Sequence, residues 1–83
     1  MSLNIEDLKR KIIYRSKYRG SKEMDILVRS FVNNIVDNLN KKELQSLLDL
    51  INIDDVNLYK FKQGLKTDIK IEDNNIAKLF KNY

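Results

Sequence analysis

The sequence predicts an all-α fold, a small five-helix bundle. Three observations carry that prediction. The chain has no proline and only two glycines in 83 residues, so little interrupts a helix. Apolar residues recur three and four apart, the period of a helix with one buried face. Strand-like alternation is confined to a brief stretch from Thr67 to Ile71. A length of 83 residues sets one domain, 1–83, with a single modest core.

Each element follows from its own residues. Leu8, Ile12 and Ile13, with Ile5 upstream, predict a first helix over about 4–18, capped by Asn4 and with acids in its first turn. Met24, Leu27, Val28, Phe31, Ile35 and Leu39 predict a second over about 22–39. Asn40-Lys41-Lys42-Glu43 resembles a capping box and opens a short helix with Leu44, Leu47, Leu48 and Ile51 on one face. Asp54 starts a fourth, carrying Val56, Leu58, Tyr59 and Phe61 and stopped at Gly64. Residues 65–71 read as a loop or extended piece. Asp73 then starts a last helix with Ile76, Leu79 and Phe80.

Composition excludes several chemistries. Without cysteine or histidine there is no disulfide, no zinc finger, no haem ligation, no thiol nucleophile and no imidazole acid–base pair. Asp54-Asp55 and Glu72-Asp73 read as helix caps rather than proton-sharing carboxylates. Asp68-x-Lys70-x-Glu72 lacks the glycine and ligand series of a calcium loop. No Gly-rich phosphate cradle is present. The chain reads as a non-enzyme.

The N-terminus has neither the basic start nor the apolar run of a secretory signal, and Glu6 and Asp7 argue against a mitochondrial presequence. No apolar run approaches a membrane span, so direct membrane insertion is not expected. Lysine outnumbers arginine 12 to 4, and Asn and Ile, with AT-rich codons, occur ten times each. The expectation is a soluble protein of a low-GC bacterial cytoplasm, or of the mitochondrial matrix if eukaryotic and processed.

The net charge of +4 is local. Seven bases (Lys9, Arg10, Lys11, Arg15, Lys17, Arg19 and Lys22) occur with no acid among them, while residues 31–83 carry eight charges of each sign. A lysine-rich solvated face explains this blandly. A small basic helical nucleic-acid-binding module is the alternative function, and steep log-linear salt dependence would reveal it. Against it, Glu23 and Asp25 stand at the start of the only candidate recognition helix, where they repel phosphate.

The turn from Tyr18 to Asp25 is the most unusual local feature. Its structural reading puts Gly20 in the left-handed conformation at the end of helix one, Ser21 as cap of helix two, and Glu23 at that helix's positive end. Arg19 fits this reading poorly, being a long cation on a tight turn. Presented beside Glu23, it makes a two-sign patch that suits a protein partner better than a polyanion.

At these residues the chain resembles the succinate dehydrogenase assembly factors, which promote covalent attachment of FAD to the flavoprotein subunit of succinate dehydrogenase and, in some bacteria, of fumarate reductase. Their Arg-Gly-x-x-Glu signature reads here as Arg19-Gly20-Ser21-Lys22-Glu23. The approach from Lys9 to Ser16, the continuation Met24-Asp25-Ile26-Leu27 and a later block from Leu47 to Phe61 also match. Two departures lie in that block: Asn57 stands where aspartate is usual, and Phe61 where tryptophan is usual.

The resemblance implies a five-helix bundle that binds the flavoprotein and holds a conformation in which FAD attaches itself; the chain is expected to be a monomer. It implies that no cofactor is bound stably by this chain. The FAD belongs to the client, whose histidine takes the bond; this chain has no histidine. Arg19, Gly20 and Glu23 would centre the contact, with Arg15, Ser16, Lys22 and Asp25 around them. Nucleic acid is not among the partners it implies.

Overall fold

Every α-helix among the described residues starts on an Asn, Ser or Asp whose side-chain oxygen accepts a backbone N–H three residues on. The computed structural model describes residues 4–17 and 19–83. Asn4 caps α1 (Ile5–Arg15), Ser21 caps α2 (Lys22–Ile35) and Asn40 caps α3 (Lys41–Ile51). Asp54 caps α4 (Asp55–Lys62) and Asn74 caps α5 (Asn75–Lys81). Each such cap contributes ~1 kcal/mol by satisfying a donor the helix itself cannot. The bundle is all-α, with no strand among the described residues.

Local chemistry sets most boundaries. The capping box at α3 is complete: Glu43 donates its N–H to Asn40 Oδ1 at 2.8 Å and accepts the Asn40 N–H at 3.1 Å. Asparagine therefore does here what serine or threonine usually does. Gly64 ends α4 with φ +75°. The Leu65 N–H reaches the Lys60 carbonyl at 2.8 Å and the Gly64 N–H reaches the Phe61 carbonyl at 3.2 Å, the paired bonds of a Schellman motif.

Four expectations need correction. The first helix ends at Arg15, with Ser16 following it, and Tyr18 lies outside the described residues. The second is α-helical only to Ile35, tightens to a 3₁₀ turn over Val36–Asn38, and leaves Leu39 extended. The last helix starts from Asn74 rather than Asp73, and Ala77, not Leu79, takes the buried place beside Ile76 and Phe80. On α4 the buried side chains are Leu58 and Asn57, whereas Val56 and Tyr59 face solvent.

The core joins Ile12 of α1, Val28, Phe31 and Val32 of α2, Leu44 and Leu47 of α3, Leu58 of α4, and Ile76 and Phe80 of α5. Burying each large apolar side chain contributes about 1.5–3 kcal/mol. Phe31 meets Phe80 and Tyr83 edge-on, with ring centroids 5.1 and 5.3 Å away. The Tyr83 hydroxyl hydrogen-bonds Ser30 and accepts from Asn34, so the last residue is fastened to α2. The α1–α2 connection lies against the corner between α3 and α4.

Candidate functional site

The site grows from the α1–α2 connection, where Ser16, Arg19 and Gly20 turn polar atoms inward. Ser16 is buried and donates its hydroxyl to the Ile13 carbonyl at 2.7 Å. Ser21 opens α2 by accepting the Met24 N–H at 3.1 Å. Between them Arg19 runs back into the protein, its side chain only 10% exposed. Its Nε donates to Asp55 Oδ1 at 2.7 Å, its Nη2 to the Ile53 carbonyl at 2.7 Å, and its Nη1 to the Ile51 carbonyl. The Gly20 N–H donates to the other carboxylate oxygen of Asp55, also at 2.7 Å.

Helix electrostatics favour this arrangement. Ile51 is the last residue of α3 and Asp55 the first of α4. Arg19 thus puts its cation on carbonyls at the negative end of one helix. Asp55 puts its carboxylate at the positive end of the next. A hydrogen bond to a charged group contributes about 1.5–3 kcal/mol, and the planar guanidinium meets several acceptors in a rigid fork that lysine's ammonium does not have. The pair is a clamp on the α3–α4 corner.

This changes the expected picture of the turn. Arg19 is not presented beside Glu23; its carboxylate partner is Asp55, on another helix. Gly20 does not adopt a left-handed conformation and does not end α1; among the described glycines only Gly64 has positive φ. Glycine matters at position 20 for close approach, because a Cβ there would stand 3.1 Å from Asp55 Oδ2. Ser21 and Glu23 do take the places expected of them, as cap and first-turn acid of α2.

The other candidate residues divide by exposure. Glu23, Lys22 and Arg15 are exposed, while Asp25 is half-buried and pairs with Arg29 at 3.2 Å. Of the seven clustered bases, Lys9 pairs with Asp37 at 3.6 Å, Arg10 with Asp7 at 3.8 Å, and Arg19 with Asp55. Lys11, Arg15, Lys17 and Lys22 have no carboxylate partner among the described residues.

Beside the turn, a groove of about 400 Å³ runs between the start of α2 and the outer face of α4. Met24, Val56, Tyr59 and Leu65 make it apolar, and Ser21, Glu23 and Asp55 edge it. Val56, Tyr59 and Leu65 are 60%, 53% and 57% exposed. Asp55 is the residue that sequence reasoning misses, because Asp54-Asp55 reads as a capping pair. The available signal was Arg19 itself, a long cation on a tight turn that needed a remote anion.

Among the described residues no group of His, Cys, Asp or Glu is arranged to hold a metal ion. The neighbouring acid, Asp54, has its pKa held below the ordinary aspartate value, first by the Asn57 side-chain amide and then by the Asn57 N–H, both donating to its carboxylate. That is the pattern of a helix cap. No helix among the described residues is long and apolar enough to cross a membrane.

Known proteins resemble the chain across this region. The model of a family described as flavinator of succinate dehydrogenase matches residues 10–83. Succinate dehydrogenase assembly factor 2-B, mitochondrial, of Drosophila mojavensis is 32% identical over 79 residues. The aligned part is 93% of this chain and 50% of that protein, so the chain spans about half the length of this curated relative. No solved structure matches it significantly.

Proposed function

We infer what this chain does from its family: it belongs to the succinate dehydrogenase assembly factors, the flavinators of that enzyme. We propose that it binds the flavoprotein subunit of succinate dehydrogenase and promotes covalent attachment of FAD to it. The family match, which takes in the Arg19-Gly20-Ser21-Lys22-Glu23 turn, carries this reading. FAD is the client's cofactor, held by the client before and after attachment. The flavoprotein of fumarate reductase is the second client to try.

The physical mechanism is population shift. A client that samples an attachment-competent arrangement only rarely is held in it by a partner that binds that arrangement best. Moving a 1:99 equilibrium to 99:1 takes about 5.5 kcal/mol of differential affinity, within reach of one standard interface. In this reading Glu23 and the Gly20 backbone make the central contact, and Lys22 and Arg15 flank it. Arg19, Ser16 and Asp25 support the contact from inside. The remaining bases of α1 steer the approach, and the chain acts as a monomer. The fly relative is named as mitochondrial; the matrix and the bacterial cytoplasm are the compartments this reading retains.

The test is co-expression with the flavoprotein subunit, with and without this chain, followed by in-gel flavin fluorescence after denaturation. A clear rise in covalently bound flavin is expected. Equal fluorescence in the two samples overturns the reading.

A further inference from the structure

We propose that Asp55 is a positioning residue of the Arg-Gly turn, giving the surface that the client meets its shape without contributing a contact of its own. The proposal rests on the function argued above and extends it to a residue outside the motif, 35 positions further along the chain than Gly20. One carboxylate oxygen takes the Arg19 Nε and the other takes the Gly20 N–H, each at 2.7 Å. Two consecutive residues of the motif are therefore held by a single side chain.

The alternatives for holding the turn are few. The Arg19 N–H lies 3.5 Å from Asp25 Oδ1, at the limit of a hydrogen bond. The other Arg19 bonds, to the Ile51 and Ile53 carbonyls, fix the guanidinium but not the backbone of Gly20. Among the described residues, Asp55 alone hydrogen-bonds the backbone of the turn to the α3–α4 corner. Gly20 leaves room for that carboxylate, since a Cβ would come within 3.1 Å of it. Three residues later stands Glu23, exposed in the first turn of α2. The direction in which α2 leaves the turn, and hence the placing of Glu23, depends on the same anchor.

Asparagine at position 55 has one acceptor oxygen where two donors converge, and alanine has none. The experiment uses the full chain and two readouts. The first is hydrogen exchange of the Gly20 amide in the free protein. Its protection should fall roughly tenfold or more in Asp55→Ala, with helical circular dichroism unchanged. If Asp55→Ala does not fold, Asp55→Asn decides on the same readout. Unchanged Gly20 protection in a folded variant overturns the proposal.

The second readout is flavin attachment in the co-expressed client. Asp55→Ala, Arg19→Ala and the double variant should lower it by similar factors, because they break one unit. Tyr83→Phe is the control, a change remote from the turn that loses the hydroxyl contacts to α2 and should leave attachment intact. Multiplying losses in the double variant, or full attachment by a variant whose Gly20 protection is gone, overturns the positioning role. Should the wild-type chain itself give no rise in attachment, the assembly-factor reading fails, and exchange at Gly20 still decides whether Asp55 anchors the turn.

Discussion

Asn57 accepts the backbone N–H of Asp68 at 2.8 Å while donating its own amide to Asp54, also at 2.8 Å. One buried side chain thus ties the loop after α4 to the cap in front of it. Asn57→Ala takes the acceptor from the Asp68 N–H and leaves Asp54 with only the backbone N–H of residue 57; it should cost about 1–3 kcal/mol in urea unfolding, with the 65–74 loop exchanging faster than the helices.

Asp54 gives the stability curve a defined acid limb. Its pKa is lowered in the folded state by the Asn57 donors, so its contribution is fully present above the unfolded aspartate value. The contribution is lost as pH falls through the lower, folded value. Asp54→Asn keeps a capping oxygen but cannot titrate there. The stability gap between wild type and Asp54→Asn should therefore be constant near neutrality and shrink in acid, which denaturant titrations between pH 6 and pH 2 will show (about two units either side of the usual aspartate value).

The two glycines should respond in opposite ways. Gly64→Ala places a Cβ in open space but at φ +75°, and should cost about 1 kcal/mol of stability with flavin attachment intact. Gly20→Ala has no such backbone penalty; it presses a Cβ on the Asp55 carboxylate. It should cost less stability than Gly64→Ala and more attachment. Thermal melts beside in-gel fluorescence separate the two.

Phe31 is fully buried against Phe80 and Tyr83. Phe31→Ala should cost about 3–5 kcal/mol, a large share of the stability of so small a domain. The check is the urea midpoint at unchanged slope; a loss under about 1 kcal/mol would show that the core repacks around the gap.

Glu23 is the sharpest probe of the contact. It is exposed, and its favourable position in the first turn of α2 is worth only about 0.3–1 kcal/mol to folding. Glu23→Ala should leave the melt nearly unmoved and lower flavin attachment by roughly tenfold or more, the loss expected of a contact worth about 1.4 kcal/mol. Full attachment with Glu23→Ala removes Glu23 from the site.

What could be read in the sequence was what local chemistry decides. Asn4, Ser21, Asn40 and Asp54 act over three residues, and each caps the helix it announces. The apolar rows of α2 and α3 are long enough for the 3.6-residue period to single out a buried face. α4 has only eight residues with apolar side chains around it, so Val56 and Tyr59 looked as buried as Leu58. Asn74 and Asp73 are both good caps, and packing of Ala77 and Phe80 selects between them. Arg19 was visible as an oddity but its acceptors were not, because they lie 32 to 36 residues away and no periodicity relates them.

That separation has a consequence for when the turn exists at all. The five motif residues are contiguous, yet their shape is borrowed from a corner that α3 and α4 must first build. A partly folded copy carries the same letters without the surface they spell, so the turn acts as a certificate of completed folding. Its amide at Gly20 should accordingly exchange with solvent through global unfolding, at the pace of the core rather than of a loop. A client that reads this surface is spared engagement with unfinished copies.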